Sequence, residues 1–167
     1  MIKGKYVNLR DVEIEDAEFI LSLRCDEKKS RFLHHTDYDI KKQQNYINKY
    51  KKLKNEWYFI VENLSGEKIG TYRIYDVQQN SFCIGSWLMV QGISSNEMLE
   101  TDFLVRNFGF DTLKMNKIHF DVRKNNKKVI RFHKMLGAKI TGETDLDYLF
   151  ECTKDDYLNC IGKFLIN

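Results

Sequence analysis

The hydrophobic period of this chain changes abruptly near residue 90, and that change limits the folds open to it. Before it, Trp57 to Glu62, Lys68 to Tyr75 and Ser81 to Met89 are rich in aromatic and β-branched residues, separated by the turn-forming Asn63-Leu64-Ser65-Gly66 and the polar Gln78-Gln79-Asn80. Such runs predict three antiparallel strands joined by hairpins. After it, Glu97 to Leu113 carries Leu99, Phe103, Leu104 and Phe108 at helical spacing, so a long amphipathic helix with those residues inward is expected. Lys117 to Val122 then alternates, with Ile118, Phe120 and Val122 on one face and His119 and Asp121 on the other. Val129 to Leu136 returns to a helix, with Gly137 placed for a left-handed C-terminal cap. A strand–helix–strand–helix unit fed by a meander requires a mixed sheet. The expected class is α/β (α+β by some schemes), a mixed, strongly twisted sheet flanked by helices.

The ends of the chain fit the same plan. Val7 and Leu9 alternate with Asn8 and Arg10 as a short first strand, and from Glu15 onward Ala17, Ile20, Leu21 and Arg24 share a helical face. A second helix is expected over 40–52, carried by Ile40, Tyr46 or Ile47, and Tyr50. Its lysine-rich end, Lys51, Lys52 and Lys54, complements the helix dipole and reads as a solvated cap. Residues 26–38, with Phe32, Leu33, His34, His35 and Tyr38, read as irregular or partly helical. Lys139-Ile140 and Tyr148 to Cys152 predict two last strands around a turn at Gly142–Asp145, and a short helix near 156–164 closes the chain.

Composition narrows the function classes. With 167 residues, 43% hydrophobic and 13% aromatic, residues 1–167 are expected to form one domain that buries its own core, which excludes a disordered chain and an obligate two-domain enzyme. Twenty-seven basic against twenty-four acidic residues give a net charge of +3 with the signs interspersed, which argues against a nucleic-acid partner. Cys25, Cys83, Cys152 and Cys160 form no CxxC pair and no zinc-like cluster, so neither a metal nor a disulfide scaffold is expected. Met1 to Tyr6 is too polar for a signal peptide and no 18-residue apolar run exists, so the expectation is a cytoplasmic protein with no membrane association.

The most specific feature is an ordered set: Trp87-Leu88, then Gly92-Ile93-Ser94-Ser95, then Asn126, then His133 and Gly137. A loop of small residues between a strand and a helix can aim backbone N–H groups at an anion, with the helix dipole adding to the attraction. The same residues also make an ordinary helix N-cap. Taken with the rest of the chain, the arrangement resembles the GCN5-related N-acetyltransferase (GNAT) superfamily, in particular its branch containing ribosomal-protein and amino-sugar-nucleotide acetyltransferases. Gly4-Lys5-Tyr6-Val7-Asn8-Leu9-Arg10-Asp11 resembles that branch's first strand, followed by the Asp16-Ala17 helix start. Ile84-Gly85-Ser86-Trp87-Leu88 resembles its fourth strand, and Asn126 lies eleven residues before Gly137 as in the family pattern. Met89 and Ser94 replace the first polar residue and second glycine of the family's diphosphate loop, while Val129 and Ala138 replace a serine and a phenylalanine farther on.

The resemblance implies a reaction and a set of residues. Acetyl-CoA would enter between strands 81–89 and 117–122 where they splay apart. Backbone groups around Leu88 and Val90 would bind the pantetheine arm, amides at Gly92, Ile93, Ser94, Ser95 and Asn96 its diphosphate, and Asn126 would contact the arm from the other side. Direct transfer needs a neutral amine beside the thioester, stabilisation of the oxyanion and a proton for the departing thiolate. Cys83, on a strand, reads as small apolar filler rather than a nucleophile. His133 stands at the family position of the tyrosine that protonates the sulfur, where an imidazole would donate if protonated or orient a water. Glu62, His119 and Asp121 are the candidate bases, each equally readable as a sheet-edge or surface residue. His34 and His35 fall where the family builds its acceptor wall. Tyr38, Trp57, Tyr72 and Tyr75 are further acceptor-side candidates, unless they serve as core or hairpin partners. The tail Asp147 to Tyr157 and the run Phe132 to Ala138 resemble sugar-nucleotide acetyltransferases. The first expectation is therefore a small-molecule acceptor, an amine on a nucleotide-linked sugar, used by a monomer or homodimer. A peptide amine, such as that of a ribosomal protein, is the alternative, and an inactive acyl-CoA-binding or interaction module a third possibility.

Overall fold

The computed structural model describes residues 1–26 and 36–165. Eight strands form one sheet: β1 (Ile2–Lys3), β2 (Val7–Asp11), β3 (Trp57–Asn63), β4 (Lys68–Tyr75), β5 (Ser81–Met89), β6 (Lys117–Arg123), β7 (Lys139–Glu143) and β8 (Asp147–Thr153). Their order across the sheet is β1-β2-β3-β4-β5-β6-β8-β7. All neighbours are antiparallel except β5 and β6, which run parallel. A parallel pair needs a long crossover, and here it is supplied by α3 (Ser95–Asn107), extended by a π-helical turn over Phe108–Thr112. The remaining helices are α1 (Ala17–Arg24), α2 (Ile40–Tyr50), α4 (Lys127–Met135) and α5 (Lys154–Leu165).

Local chemistry explains most boundaries. Asn63 Oδ1 accepts from the N–H groups of Ser65 and Glu67 at 3.0 and 2.9 Å, which closes the β3–β4 hairpin at the turn expected there. Asp39 caps α2 by accepting from the Lys42 N–H at 2.9 Å. Gly137 ends α4 with φ +89°, and a Cβ there would meet the Asp156 backbone, so glycine is required twice over.

The sheet divides two cores. Tyr58 and Ile60 on β3 turn towards Ala17 and Ile20 of α1 and Ile47 of α2, whereas Phe59 and Val61 join the larger core that includes Val105 of α3 and Ile130 of α4. One expectation fails. The fully buried face of α3 is Thr101, Asp102, Val105 and Arg106, while Leu99, Phe103, Leu104 and Phe108 are only partly covered. The helix is turned so that the charged pair takes the most buried positions with Thr101 and Val105, while Phe103, Leu104 and Phe108 pack against the core from its margin. The expected helix over 97–113 is continuous, its last turn being the π-helical one over Phe108–Thr112.

Two polar anchors fix the N-terminal edge. The Glu100 carboxylate on α3 accepts from the N–H groups of Lys5, Tyr6 and Val7 at 2.8, 2.6 and 2.8 Å. Asp16, 1% exposed, accepts two bonds from the Arg10 guanidinium at 2.7 and 2.9 Å and one from Lys68 at 2.9 Å. Burial opposes its charge, but these cationic donors and the Glu13 N–H win, and its carboxyl is pulled down from 3.8 to about 2. A depressed folded-state pKa gives stability that is present above the ordinary carboxylate pKa and is lost as pH falls towards about 2. Asp16→Asn should therefore lower stability at neutral pH by ~2 kcal/mol, and the gap from wild type should shrink as urea melts are repeated between pH 5 and about 2.

Candidate active site

The pairing of β5 with β6 is confined to Ser81 with Lys117, Phe82 with Ile118 and Cys83 with His119. Beyond Cys83 the two strands part towards their C-terminal ends. A bulge helps to turn β5 away: Thr71 faces Leu88 and Arg73 faces Gly85, so three residues of β5 advance against two of β4. Ser86 in this bulge has φ +49°, and its carbonyl accepts from Thr71 Oγ1 at 3.0 Å.

Between the parted strands lies a cleft of about 470 Å³. Of the sequence-derived candidates, Leu88, Asn126, Tyr72, Tyr75, Asp121 and His133 line it. Trp87 also lines it, stacked on Tyr72 with ring centroids 5.0 Å apart and tilted on Phe132 at 5.4 Å. The Trp87 indole N–H is buried and has no partner among the described residues, so a donor is held in the cleft wall.

Other candidates are engaged elsewhere. Glu62 is bound to Arg10 at 2.6 Å in the Asp16 cluster. His119 lies between Ser81 Oγ at 3.0 Å and Asp76 at 2.9 Å, outside the cleft lining. Trp57 packs edge-on against Phe108 and lines a different cavity, and Tyr38 is largely exposed. His34 and His35 lie outside the described residues. The Val90 N–H is taken by the Ile69 carbonyl at 2.8 Å, so at Val90 the backbone carbonyl is the group left to offer.

The loop after β5 forms the N-terminus of α3. Gly92 has φ +84°, and Ser94 is the N-cap, its hydroxyl accepting from the Glu97 N–H at 3.2 Å. Glu97 reaches back to the Ser94 N–H at 2.7 Å, which lowers its own pKa through that hydrogen bond. The N–H groups of Gly92, Ile93, Ser95 and Asn96 have no hydrogen-bond partner among the described residues. Opposite, α4 begins at Asn126 without a side-chain cap or an acidic residue in its first turn, and Lys128 beside it lines the cleft. The N-terminus of α4 and Lys128 therefore add positive potential at the cleft, and the N-terminus of α3 follows directly on β5.

Behind the cleft is a buried polar chain that sequence reasoning missed. Tyr72 Oη donates to Asp102 Oδ1 at 2.6 Å, Arg106 Nε donates to Asp102 Oδ2 at 2.6 Å, and Arg106 Nη2 lies 2.9 Å from His133 Nδ1. The Asp102 and Arg106 side chains are 0% exposed. Burial, and then the neighbouring Arg106 charge, hold the His133 pKa well below 6.5. The imidazolium form allowed by the sequence reading is thus disfavoured, because a second buried cation would sit against the first. Arg123 and Asp147 were also missed. They face each other across β6 and β8, pair at 3.3 Å and line the cleft, and Asp147 Oδ1 is buried without a partner among the described residues. Each signal was an ordinary surface-type residue in sequence, and only strand register brings the pair to the cleft.

The residues present suit the thioester cosubstrate: a stretch of β5 edge, amides at an α-helix N-terminus, an asparagine side chain opposite and a buried indole donor, all without hydrogen-bond partners among the described residues. No group of histidine, cysteine and acidic side chains among the described residues could hold a metal ion, and none of the helices among them is long and apolar enough to cross a membrane.

Comparisons with known proteins agree with this geometry. Residues 7–139 match the model of the acetyltransferase (GNAT) domain. The structure of apo FdhC, a nucleotide-linked sugar GNAT, superposes with a TM-score of 0.87 at 36% identity, covering 98% of this chain and 96% of that one. Spermidine N-acetyltransferase from Vibrio cholerae, in complex with CoA and spermine, is 19% identical with a TM-score of 0.80, covering 93% of this chain and 100% of that one. A GNAT-family acetyltransferase from Bacillus anthracis is 17% identical with a TM-score of 0.78, covering 92% and 98%. A comparison with curated protein sequences gave no match. With parted parallel strands, an open helix N-terminus beside them and a family match that spans most of its length, the chain belongs to the GNAT family and is an acetyl-CoA-dependent N-acetyltransferase.

Proposed function

We propose that the enzyme acetylates the primary amine of an amino sugar carried on a nucleotide. The observation that carries this reading is the end-to-end similarity to FdhC, a nucleotide-linked sugar GNAT. Charge supports it. Arg24, Arg123 and Lys128 outnumber Asp121 and Asp147 around the cleft, a balance that suits an anionic acceptor better than a polyamine. Space supports it as well. A second cavity of about 310 Å³, lined by Arg24, Lys42, Tyr46, Tyr58 and Arg73 among others, shares Arg24 with the cleft. Arg73 lies 5.4 and 5.1 Å from the ring centroids of Tyr46 and Tyr58 and is paired with Glu56 at 2.8 Å. Guanidinium groups beside tyrosine faces suit a diphosphate and a nucleobase, and a peptide amine would make no such demand.

Within the cleft, the β5 edge near Leu88 and the Asn126 side chain hold the pantetheine arm, and the open amides of Gly92, Ile93, Ser95 and Asn96 hold the diphosphate, the Ser94 N–H being taken by Glu97. Asp121 is the candidate base that lines the cleft, and it takes the amine's proton directly or through water. His133 attends the departing sulfur. Incubating the enzyme with acetyl-CoA and a panel of amines, and following free thiol, tests the acceptor. Turnover of a nucleotide-linked amino sugar is expected, and turnover of peptide amines or polyamines alone would overturn the reading.

Three variants test the parts. Arg24→Gln should raise KM for the nucleotide-linked acceptor about tenfold with little change in KM for acetyl-CoA, as steady-state kinetics would record. Glu97→Gln keeps a hydrogen-bonding group at N3 but removes a carboxylate from the first turn, so calorimetry should find acetyl-CoA bound about threefold more tightly. His133→Phe should lower turnover by ~10–10²-fold, with tyrosine at the same position restoring more activity than phenylalanine.

A further inference from the structure

The Asp102–Arg106 pair is fully buried one shell behind the cleft, yet both ends of its chain return to the cleft wall, at Tyr72 and at His133. A guanidinium has five N–H donors and no acceptor. Arg106 Nη2 can therefore bond His133 Nδ1 only if that nitrogen carries no proton. The ring's one proton must then lie on Nε2, the nitrogen on the far side of the ring from Arg106. We propose that Asp102 and Arg106 are positioning residues that lock His133 in its Nε2–H tautomer, making it a fixed neutral hydrogen-bond donor to the thioester sulfur. This rests on the reading of His133 as the residue at the sulfur.

The orientation of the pair is itself over-determined. Asp102 accepts from both Tyr72 Oη and Arg106 Nε at 2.6 Å, one at each carboxylate oxygen, which holds the carboxylate in place behind Arg106. Arg106 lies 5.5 Å from the ring centroid of Tyr157 on α5, which covers the face of the guanidinium. Phe120 of β6 and Phe132 of α4 flank the imidazole, with ring centroids 4.4 and 5.4 Å away. The charged groups that share the cleft with it are Asp121 and Arg123 of β6, Lys128 of α4, Asp147 of β8 and Arg24 of α1. Arg106 is the charged group in hydrogen-bond contact with the ring, and it favours the neutral form.

A locked neutral donor changes the proton inventory. The amine nitrogen forms the new C–N bond, the C–S bond breaks, and the proton shed by the nitrogen is the one that finally reaches the thiolate. His133 begins and ends the cycle with its Nε2 proton. It lowers the energy of the sulfur's developing charge without titrating, much as a carboxylate fixes the tautomer of the histidine in a Ser-His-Asp triad, although there the imidazole does accept a proton.

The test is nitrogen NMR on histidine-labelled protein, with the His133 signals assigned by their loss in His133→Phe. One protonated nitrogen, Nε2, and no titration between about pH 5.5 and 8 are expected in the wild type. Replacing the pair by apolar residues of similar size, Asp102→Leu with Arg106→Met, removes the lock without stranding a buried charge. In that variant His133 should exchange tautomers and titrate nearer its ordinary value, with kcat falling ~10–10²-fold and KM for acetyl-CoA changing less than about twofold. Arg106→Lys, which keeps the charge beside Asp102 but not the fork, should also free the tautomer and serves if the double variant fails to fold. A wild-type Nδ1–H tautomer, a His133 that titrates near neutrality, or an unchanged ring or kcat in the variants would each overturn the proposal. The spectra need no acceptor, so failure of the nucleotide-sugar reading leaves this test intact.

Discussion

The parallel contact between β5 and β6 lasts for three residue pairs and then stops, and the catalytic architecture depends on that interruption. Backbone N–H and C=O groups are obligatory hydrogen-bonding groups, so a strand that leaves its neighbour must find another partner. On the β4 side, β5 keeps its ladder through a bulge at Gly85 to Leu88. On the β6 side, its edge is open to a ligand that can supply both donors and acceptors, as the amide-bearing arm of coenzyme A does. The left-handed Ser86 is a local strain of ~1–2 kcal/mol, held in place by the Thr71 hydroxyl.

The second constraint is electrostatic. Burying Asp102 and Arg106 costs several kcal/mol per ion, and their mutual attraction offsets that with the help of hydrogen bonds to both groups, although Arg106 Nη1 is buried with no partner among the described residues. Asp102 has Tyr72 and Arg106; Arg106 has Asp102, His133 and the Tyr157 ring. A well-packed apolar pair would serve stability as well. What it could not supply is a directional donor for His133 Nδ1, so specificity of geometry is the gain. The Asp16 cluster differs in kind. Its partners Arg10 and Lys68 remain partly exposed, and it ties β2, β4 and the start of α1 together.

The framework of the candidate site was legible in the sequence where local chemistry carries it. The Gly92-Ile93-Ser94-Ser95 loop follows a strand and caps a helix wherever the chain folds, and the distance from Asn126 to Gly137 is set by one helix and its cap. Glu62, His119 and Trp57 were less tractable. Each is a chemically suitable residue on a strand, and the partner that claims it, Arg10, Asp76 or Phe108, is 43 to 52 residues away. Arg123 and Asp147 are the reverse case, since the register of β6 against β8 brings an unremarked pair into the cleft.

The sequence by itself determined the order and type of the elements, the turn chemistry that joins them and the mixed sheet that follows from one parallel crossover. These depend on side-chain period and on residues a few positions apart. The rotation of α3 was decided only in three dimensions. In sequence, Leu99, Phe103, Leu104 and Phe108 read as the buried stripe, and no local pattern marks Asp102 and Arg106 for burial. Tyr72 from the sheet and His133 from α4 reverse that choice by offering the charged pair partners that water would otherwise provide, and the same contact sets which nitrogen of His133 carries its proton.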